Sequence, residues 1–447
     1  MESLVVRSER VVLPDGVRAA SVQIVNGRIA TIAPYADVPG GVRLLDAGPH
    51  MLLPGLVDTH VHINDPGRAE WEGFEHATKS AAAGGVTTLV DMPLNSIPST
   101  TDVRAFEAKR EAAKGGCHVD VGFWGGVVPG NVDSLEPLAR AGVLGFKCFL
   151  CPSGVDEFEH VTEKDLRAAL PVLSKLPLPL LAHSELPALL NDGAAGDPRR
   201  YATWLESRPP ASELAAIDLL IRLAREFDAA VHIVHLASRD ALPSLQAARM
   251  AGAKVTIETC PHYLTFAGED IPDGATSFKC APPIRSREHR EGLWQGLADG
   301  VIDLVATDHS PAPPSMKRLD TGDFMRAWGG IASLQIGLSA VWTGASARGF
   351  SIEDVVRWMC REPARLAGLE ARKGAIAPGK DADLIVWDPD AESTVDPAAL
   401  YHRHPVTPYA GLRLRGRVVT TLVRGQAVVR EGQGAAEPFG QVLLSLR

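Results

Sequence analysis

Residues 55–93 read GLVDTHVHINDPGRAEWEGFEHATKSAAAGGVTTLVDMP. An apolar run of strand length (GLVDTHVH, 55–62) precedes a helix-like stretch that ends at Gly84 and Gly85, and a second apolar run (VTTLVDMP, 86–93) follows. Glycine is the usual residue just past a helix C-terminus. Strand, helix and strand in this order make one unit of a parallel sheet. The unit recurs. Further apolar runs stand at HVDVGFWG (118–125), VLGFKCFL (143–150), PLPLLAHS (177–184), AVHIVHLA (230–237), KVTIETCP (254–261) and VIDLVATD (301–308). Between them lie helix-like stretches such as SELAAIDLLIRLAREF and REHREGLWQGLADG. Eight runs alternating with helices across residues 54–370 predict an α/β protein built on a (β/α)8 TIM-type barrel.

Both ends of the chain have a different texture. Residues 1–53 and 371–447 are rich in short strand-like segments, with Asn26-Gly27 and Arg424-Gly425 at the places where hairpins should turn. The last of these segments is QVLLSL (441–446). The two ends are expected to form one small composite β-sandwich domain beside the barrel.

Composition narrows the function classes. Of 447 residues 45% are apolar and 22% charged, which supplies a buried core and excludes wholesale disorder. The net charge of −9 lacks the positive field that nucleic-acid binding requires. No run approaches the ~18 apolar residues of a membrane span, and the N-terminus lacks a signal-peptide core. The expected address is the cytoplasm, with neither nucleic acid nor membrane as partner. Six cysteines are too few for a disulfide framework. Cys148 and Cys151 have C-x-x-C spacing but no second pair, so they read as thiols lining a packed loop.

A barrel of this kind carries its active site at the C-terminal ends of its strands. There the runs place Asp58, His60 and His62, then Lys147, His183, His232 and His235, and finally Asp308 and His309. Ionisable groups at the ends of buried strands are costly unless paired or bound to something, and converging imidazoles and carboxylates suit a metal. His60 and His62 are two apart on a strand and share a face. By the same alternation His235 joins the site and His232 packs behind it. His309 points away from Asp308 and reads as structural. His262, just past the seventh run, is a supporting candidate, and His402 is expected to be solvated or satisfied elsewhere. Lys147 sits in an apolar run, and a desolvated lysine is nucleophilic when neutral. That permits a Schiff base, a general base or a carbamate.

These residues together resemble the amidohydrolase superfamily, in its cyclic-amidase branch of dihydroorotase, hydantoinase and allantoinase. The tail GAIAPGKDADLIVWD (374–388) resembles the family's return into its β-sandwich. The resemblance implies two divalent metal ions, zinc expected, with Co2+, Mn2+ or Fe2+ as alternatives. His60, His62 and Asp308 would hold one, His183 and His235 the other, with carbamylated Lys147 bridging. A hydroxide shared by the ions would open a cyclic amide, with Asp308 as the catalytic proton carrier. The family likeness also implies a homotetramer.

Within the branch, HVHINDPGRAEWEGF (60–74), DMPLNSIP (91–98) and GFKCFLCPSGVDEF (145–158) resemble the allantoinase version. Dihydroorotases carry an arginine for the substrate carboxylate where this chain has Asn64. Hydantoinases tend to place a tyrosine a few residues after the lysine, and none stands there. Asn64, Asn95 and Ser153 are thus candidate substrate contacts. So are Cys280 in KCAPPIR (279–285) and Gly330, by analogy with backbone contacts to the cyclic amide. The expected reaction is hydrolysis of allantoin to allantoate; hydantoinase or dihydropyrimidinase is the alternative, then dihydroorotase, then a non-catalytic interaction protein. The loop at 309–330, with Pro311, Pro313 and Pro314, is a candidate lid.

Overall fold

The computed structural model describes residues 3–191, 193–434 and 437–445. All eight apolar runs contain barrel strands: Leu56–Val61, Val86–Asp91, Asp120–Phe123, Phe146–Phe149, Leu180–His183, Val231–Ile233, Val255–Thr259 and Leu304–Val305. Neighbouring strands pair in parallel within two arcs, one of the first three strands and one of the remaining five. The arcs close on each other. Leu144 N donates to Phe123 O (2.9 Å) at one seam, and His62 N donates to His309 O (2.8 Å) at the other. The strands are buried almost throughout, which is why they read as continuous apolar runs.

The helices take the intervening stretches. Val103–Ala113 begins at Asp102, whose carboxylate accepts from Ala105 N (2.8 Å). Glu163–Leu173 begins with a capping box of Thr162 and Asp165. Pro210–Phe227 buries Ala216, Ile217, Leu220, Leu223 and Ala224, the stripe expected of a helix laid on a barrel.

The chain ends form a nine-stranded sheet that runs from Ser3–Leu13 through Met51–Pro54 to Leu384–Thr394, Arg413–Val423 and beyond. Register shifts in the two long strands, between Ser8 and Val11 and twice after Val386, let the sheet bend. It wraps its own core, including Val6, Val11, Val22, Leu52, Leu384 and Leu422. The Asn26-Gly27 and Arg424-Gly425 turns both have the positive φ that tight hairpins need.

Sheet and barrel are joined at Gly55, between Met51–Pro54 and the first barrel strand. Its N–H donates to Asp383 O (2.8 Å), and a Cβ there would stand 2.2 Å from the Thr87 hydroxyl, so only glycine fits. Buried Lys373 reinforces the joint by reaching Asp120 (2.6 Å), Asp383 (2.6 Å) and Asp381 (3.0 Å). This carboxylate cluster has its counterion in the lysine.

One segment departs from the expectation. Residues 441–445 of QVLLSL do not extend the terminal sheet (Leu446 lies outside the described residues). Val121 N donates to Gln441 O (2.9 Å), Leu443 N to Val121 O (2.8 Å) and Ser445 N to Gly142 O (2.9 Å), so the tail runs along the third barrel strand. Leu443 is buried there against Leu144 and Trp124. The segment is extended as its strand-like texture suggests, but the face it covers belongs to the barrel.

Candidate active site and metal centre

The strand ends bring His60, His62, Lys147, His183, His235 and Asp308 around one mouth, all buried. His60 and His62 present Nε2 to the same oxygen of Asp308, at 3.2 and 3.3 Å. Across the mouth, His183 Nδ1 lies 3.0 Å from His235 Nε2. Asp308 (φ 47°) and His235 (φ 38°) adopt left-handed backbone conformations, uncommon for residues with a Cβ. The sixth strand ends at Ile233, so alternation does not reach His235; the left-handed turn aims its ring instead.

The polar atoms in this cluster are incompletely satisfied. Lys147 Nζ is buried with no hydrogen-bond partner and stands 4.8 Å from the centroid of the Phe149 ring. Burial lowers its pKa to about 8, so a neutral amine is accessible near physiological pH. His235 Nδ1 is also without a partner. Burial favours neutral rings at His62, His183 and, most strongly, His235. Burial would raise the Asp308 carboxyl, but the His60 and His62 imidazoles beside it outweigh that and hold the group well below the usual range.

Hydrogen bonding behind the rings decides which nitrogens are free. His60 Nδ1 donates to Glu258 in a short contact. In the neutral ring its Nε2 is then a lone pair, and it faces a carboxylate oxygen. His183 Nε2 donates to Glu185 (2.7 Å), leaving its Nδ1 as a lone pair toward His235. Ring nitrogens gathered on one carboxylate oxygen, and a His183 Nδ1 lone pair beside His235 Nε2, make donor sets that fit a cation. Two nitrogens each ~2.0–2.1 Å from one tetrahedral ion would be separated by a little over 3 Å, close to the distance seen. His60, His62 and Asp308 form a group able to hold a metal ion.

His232 does not join the cluster. Its Nε2 donates to Glu258 (3.0 Å) and its Nδ1 accepts from Thr256 Oγ1 (2.8 Å). His309 is likewise engaged, with Nε2 on Glu72 (3.2 Å) and Nδ1 accepting from Ser333 N and Leu334 N. Asp58 accepts from His60 N and Thr307 N and ties the barrel seam. His262 is buried near Asp308 with neither nitrogen partnered, and burial lowers it to about 4. His402, expected to be solvated or satisfied, is buried against His309, with their ring centroids 4.9 Å apart.

A cavity of about 340 Å³ opens above the cluster, walled by Asn95, Ser153, Trp204, Cys280, Trp328 and Gly330 among others. Asn64 does not reach it. At φ 66° it turns the chain after His62; it is not among the residues that line the cavity, and its buried amide has no hydrogen-bond partner. Asn95 Nδ2 lies 3.4 Å from His62 Nδ1 while its Oδ1 is unpartnered; a half-turn of the amide would let Oδ1 accept from Nδ1–H instead. Ser153 spends its hydroxyl on Phe158 O (2.6 Å) and Val155 O (3.1 Å). Gly330 donates to Lys279 O (2.8 Å) and accepts from Lys317 Nζ (2.6 Å), and a Cβ there would strike Ser310 O at 2.3 Å. Cys280 O accepts from the Trp204 indole (3.0 Å). The loop at 309–330 is pinned by Lys317, whose Nζ also reaches Trp328 O (3.0 Å), and by Trp71 packing edge-on to Trp328.

Sequence reasoning missed the residues that hold the histidines: Glu258, Glu185 and Arg208, which pairs with Glu185 at 2.6 Å. Glu258 was visible as a lone carboxylate inside the apolar run KVTIETCP. Arg208, on the segment that follows a short helix, carried no local signal.

Comparison with known proteins places this arrangement. The model of the Amidohydrolase family matches residues 51–428. The chain is 52% identical to an allantoinase of Streptomyces avermitilis, over 98% of both proteins. It is 45% identical to an allantoinase of Arabidopsis thaliana, over 98% of this chain and 90% of that one. Its structure superposes on the L-hydantoinase (dihydropyrimidinase) of Arthrobacter aurescens with a TM-score of 0.94 and 31% identity, covering 99% of this chain and all of that one. The chain belongs to the amidohydrolase family.

Proposed function

We propose that this protein is a cyclic-amide hydrolase that opens the hydantoin ring of allantoin to give allantoate. The observation that carries the reading is a cluster of four histidines, one lysine and one aspartate at the mouth of a barrel, in a chain 52% identical over nearly its whole length to a protein named allantoinase.

His60, His62 and Asp308 would hold one divalent ion and His183 and His235 a second, zinc being the expected metal, with Lys147 as a carbamate between them. Such ions supply Lewis acidity and lower the pKa of water toward neutrality. Asp308 takes a proton from the attacking water and returns it to the ring nitrogen as the carbon–nitrogen bond breaks, acting first as base and then as acid. The carboxyl, held well below the usual range, is ionised at neutral pH. Asn95 and the walls of the cavity orient the ring and its ureido arm. The reading extends to a cytoplasmic homotetramer, which sedimentation and fractionation test directly.

Hydantoinase or dihydropyrimidinase activity is the second reading, favoured by the close superposition on the Arthrobacter enzyme. Turnover of allantoin, hydantoin, dihydrouracil and dihydroorotate, measured side by side, separates them. The highest kcat/KM is expected for allantoin; a preference for hydantoin or dihydrouracil transfers the protein to the second reading.

A further inference from the structure

Glu258 lies on the seventh barrel strand, Val255–Thr259, and is fully buried. It is none of the residues that would touch an ion. Its carboxylate nevertheless meets both halves of the cluster. Oε1 accepts from His60 Nδ1 and from the backbone N–H of His235 (3.2 Å). Oε2 accepts from His232 Nε2 (3.0 Å). His232 is itself fixed, because Thr256 is its register partner on the adjacent strand and donates Oγ1 to Nδ1 (2.8 Å). Thr256 and Glu258 are two apart on one strand, so they share a face and grip the His232 ring at both nitrogens.

We infer that Glu258 is a positioning residue that sets the metal affinity of both sites at once, with His232 as its brace. The inference rests on the metal reading above. A carboxylate on Nδ1 fixes the His60 tautomer, leaves Nε2 as the ligating nitrogen and makes it more basic. The same oxygen accepts from the N–H of His235 and so helps to hold its left-handed turn, beside the backbone bond from Leu236 N to Glu258 O (2.8 Å). Glu185 does a related job for His183, but Arg208 pairs with it. Among the described residues, every side chain that hydrogen-bonds the Glu258 carboxylate is an imidazole. Its charge is therefore directed at the histidines and at the cation they hold.

The test compares wild type, Glu258→Gln and His232→Gln as zinc-loaded full-length proteins. The readouts are the rate of zinc release to a chelator and the melting temperature of each apo protein. Glutamine keeps the shape and one acceptor but loses the charge. Glu258→Gln should release zinc ~10–100-fold faster, with an apo melting temperature near that of wild type and an unchanged KM. His232→Gln should move release in the same direction by less, because Glu258 remains but is no longer braced. Release from Glu258→Gln within twofold of wild type overturns the inference. Should that variant fail to fold, His232→Gln decides, and unchanged release from it is equally fatal. A wild-type protein that binds no zinc at all defeats the metal reading itself, a result distinct from an indifferent variant.

Discussion

Nδ1 of His183 faces Nε2 of His235 across 3.0 Å, the two rings nearly perpendicular at 73°. His183 has committed its other nitrogen to Glu185, and the other nitrogen of His235 has no partner. On the metal reading, this pair holds the second ion. Removing metal with a chelator should abolish turnover and lower the melting temperature, and adding zinc back should restore both. Saturation at ~100 times Kd stabilises a fold by about 2.7 kcal/mol per site. Elemental analysis should find two ions per chain; one ion at full activity would contradict the paired arrangement.

Lys147 makes a pH-dependent prediction. Only the neutral amine reacts with carbon dioxide, and burial places the Lys147 pKa at about 8. The neutral fraction rises from roughly a tenth one pH unit below that value to roughly nine tenths one unit above it. Reconstitution of metal-free protein with zinc should therefore quicken as pH rises through about 8, and quicken again with added bicarbonate. Lys147→Ala should lose the metal pair, nearly all activity and any response to bicarbonate.

Asp308→Asn should fold but turn over ~10²–10⁴-fold more slowly at saturating allantoin, since proton transfer by a positioned group is worth about that much. A loss below tenfold would pass the proton to another group. His262, buried nearby with both nitrogens free, would be next.

The two asparagines should part company. Asn95 lines the cavity, and Asn95→Ala should reduce kcat/KM for allantoin, by ~1–3 kcal/mol if a buried hydrogen bond is lost. Asn64 lies outside the cavity in a left-handed conformation. Asn64→Ala should destabilise by about 1–2 kcal/mol with KM unchanged, and Asn64→Gly should be milder. A KM shift in Asn64→Ala that exceeds that of Asn95→Ala would restore Asn64 as a substrate contact.

All six cysteines are buried and unpaired. Burial pushes the thiols of Cys117, Cys148, Cys151 and Cys280 up to about 12. The native protein should resist alkylation at pH 8, and six thiols should appear on unfolding. Rapid loss of Cys148 and Cys151 together would instead mark their C-x-x-C spacing as a reactive thiol pair.

The barrel was legible because parallel strands buried on both faces read as apolar runs, and histidines stand out at their ends. His60 and His62 could be read by alternation alone. His235 could not, because a left-handed turn rather than the strand directs it. The residues behind the histidines were harder. Glu258 joins His60 across 198 positions of sequence, and no local pattern encodes such a partner. For Asn64 the sequence position beside His62 does not reveal the left-handed backbone, and the cavity is lined without it. The tail at 441–445 showed strand texture, but pattern cannot name the neighbour a strand will choose.

The joint at Gly55 also has a consequence in time. Met51–Pro54 emerges early in synthesis, yet its antiparallel partner, Leu384–Thr394, emerges about 330 residues later. At ~5–20 residues per second, the ribosome leaves that strand edge open for roughly a quarter of a minute to a minute. Throughout this interval the N-terminal hairpins expose unpaired backbone, a template for association with other nascent chains. Yield in the cell should therefore depend on chaperones that shield the leading end, and a slowed ribosome should lower it.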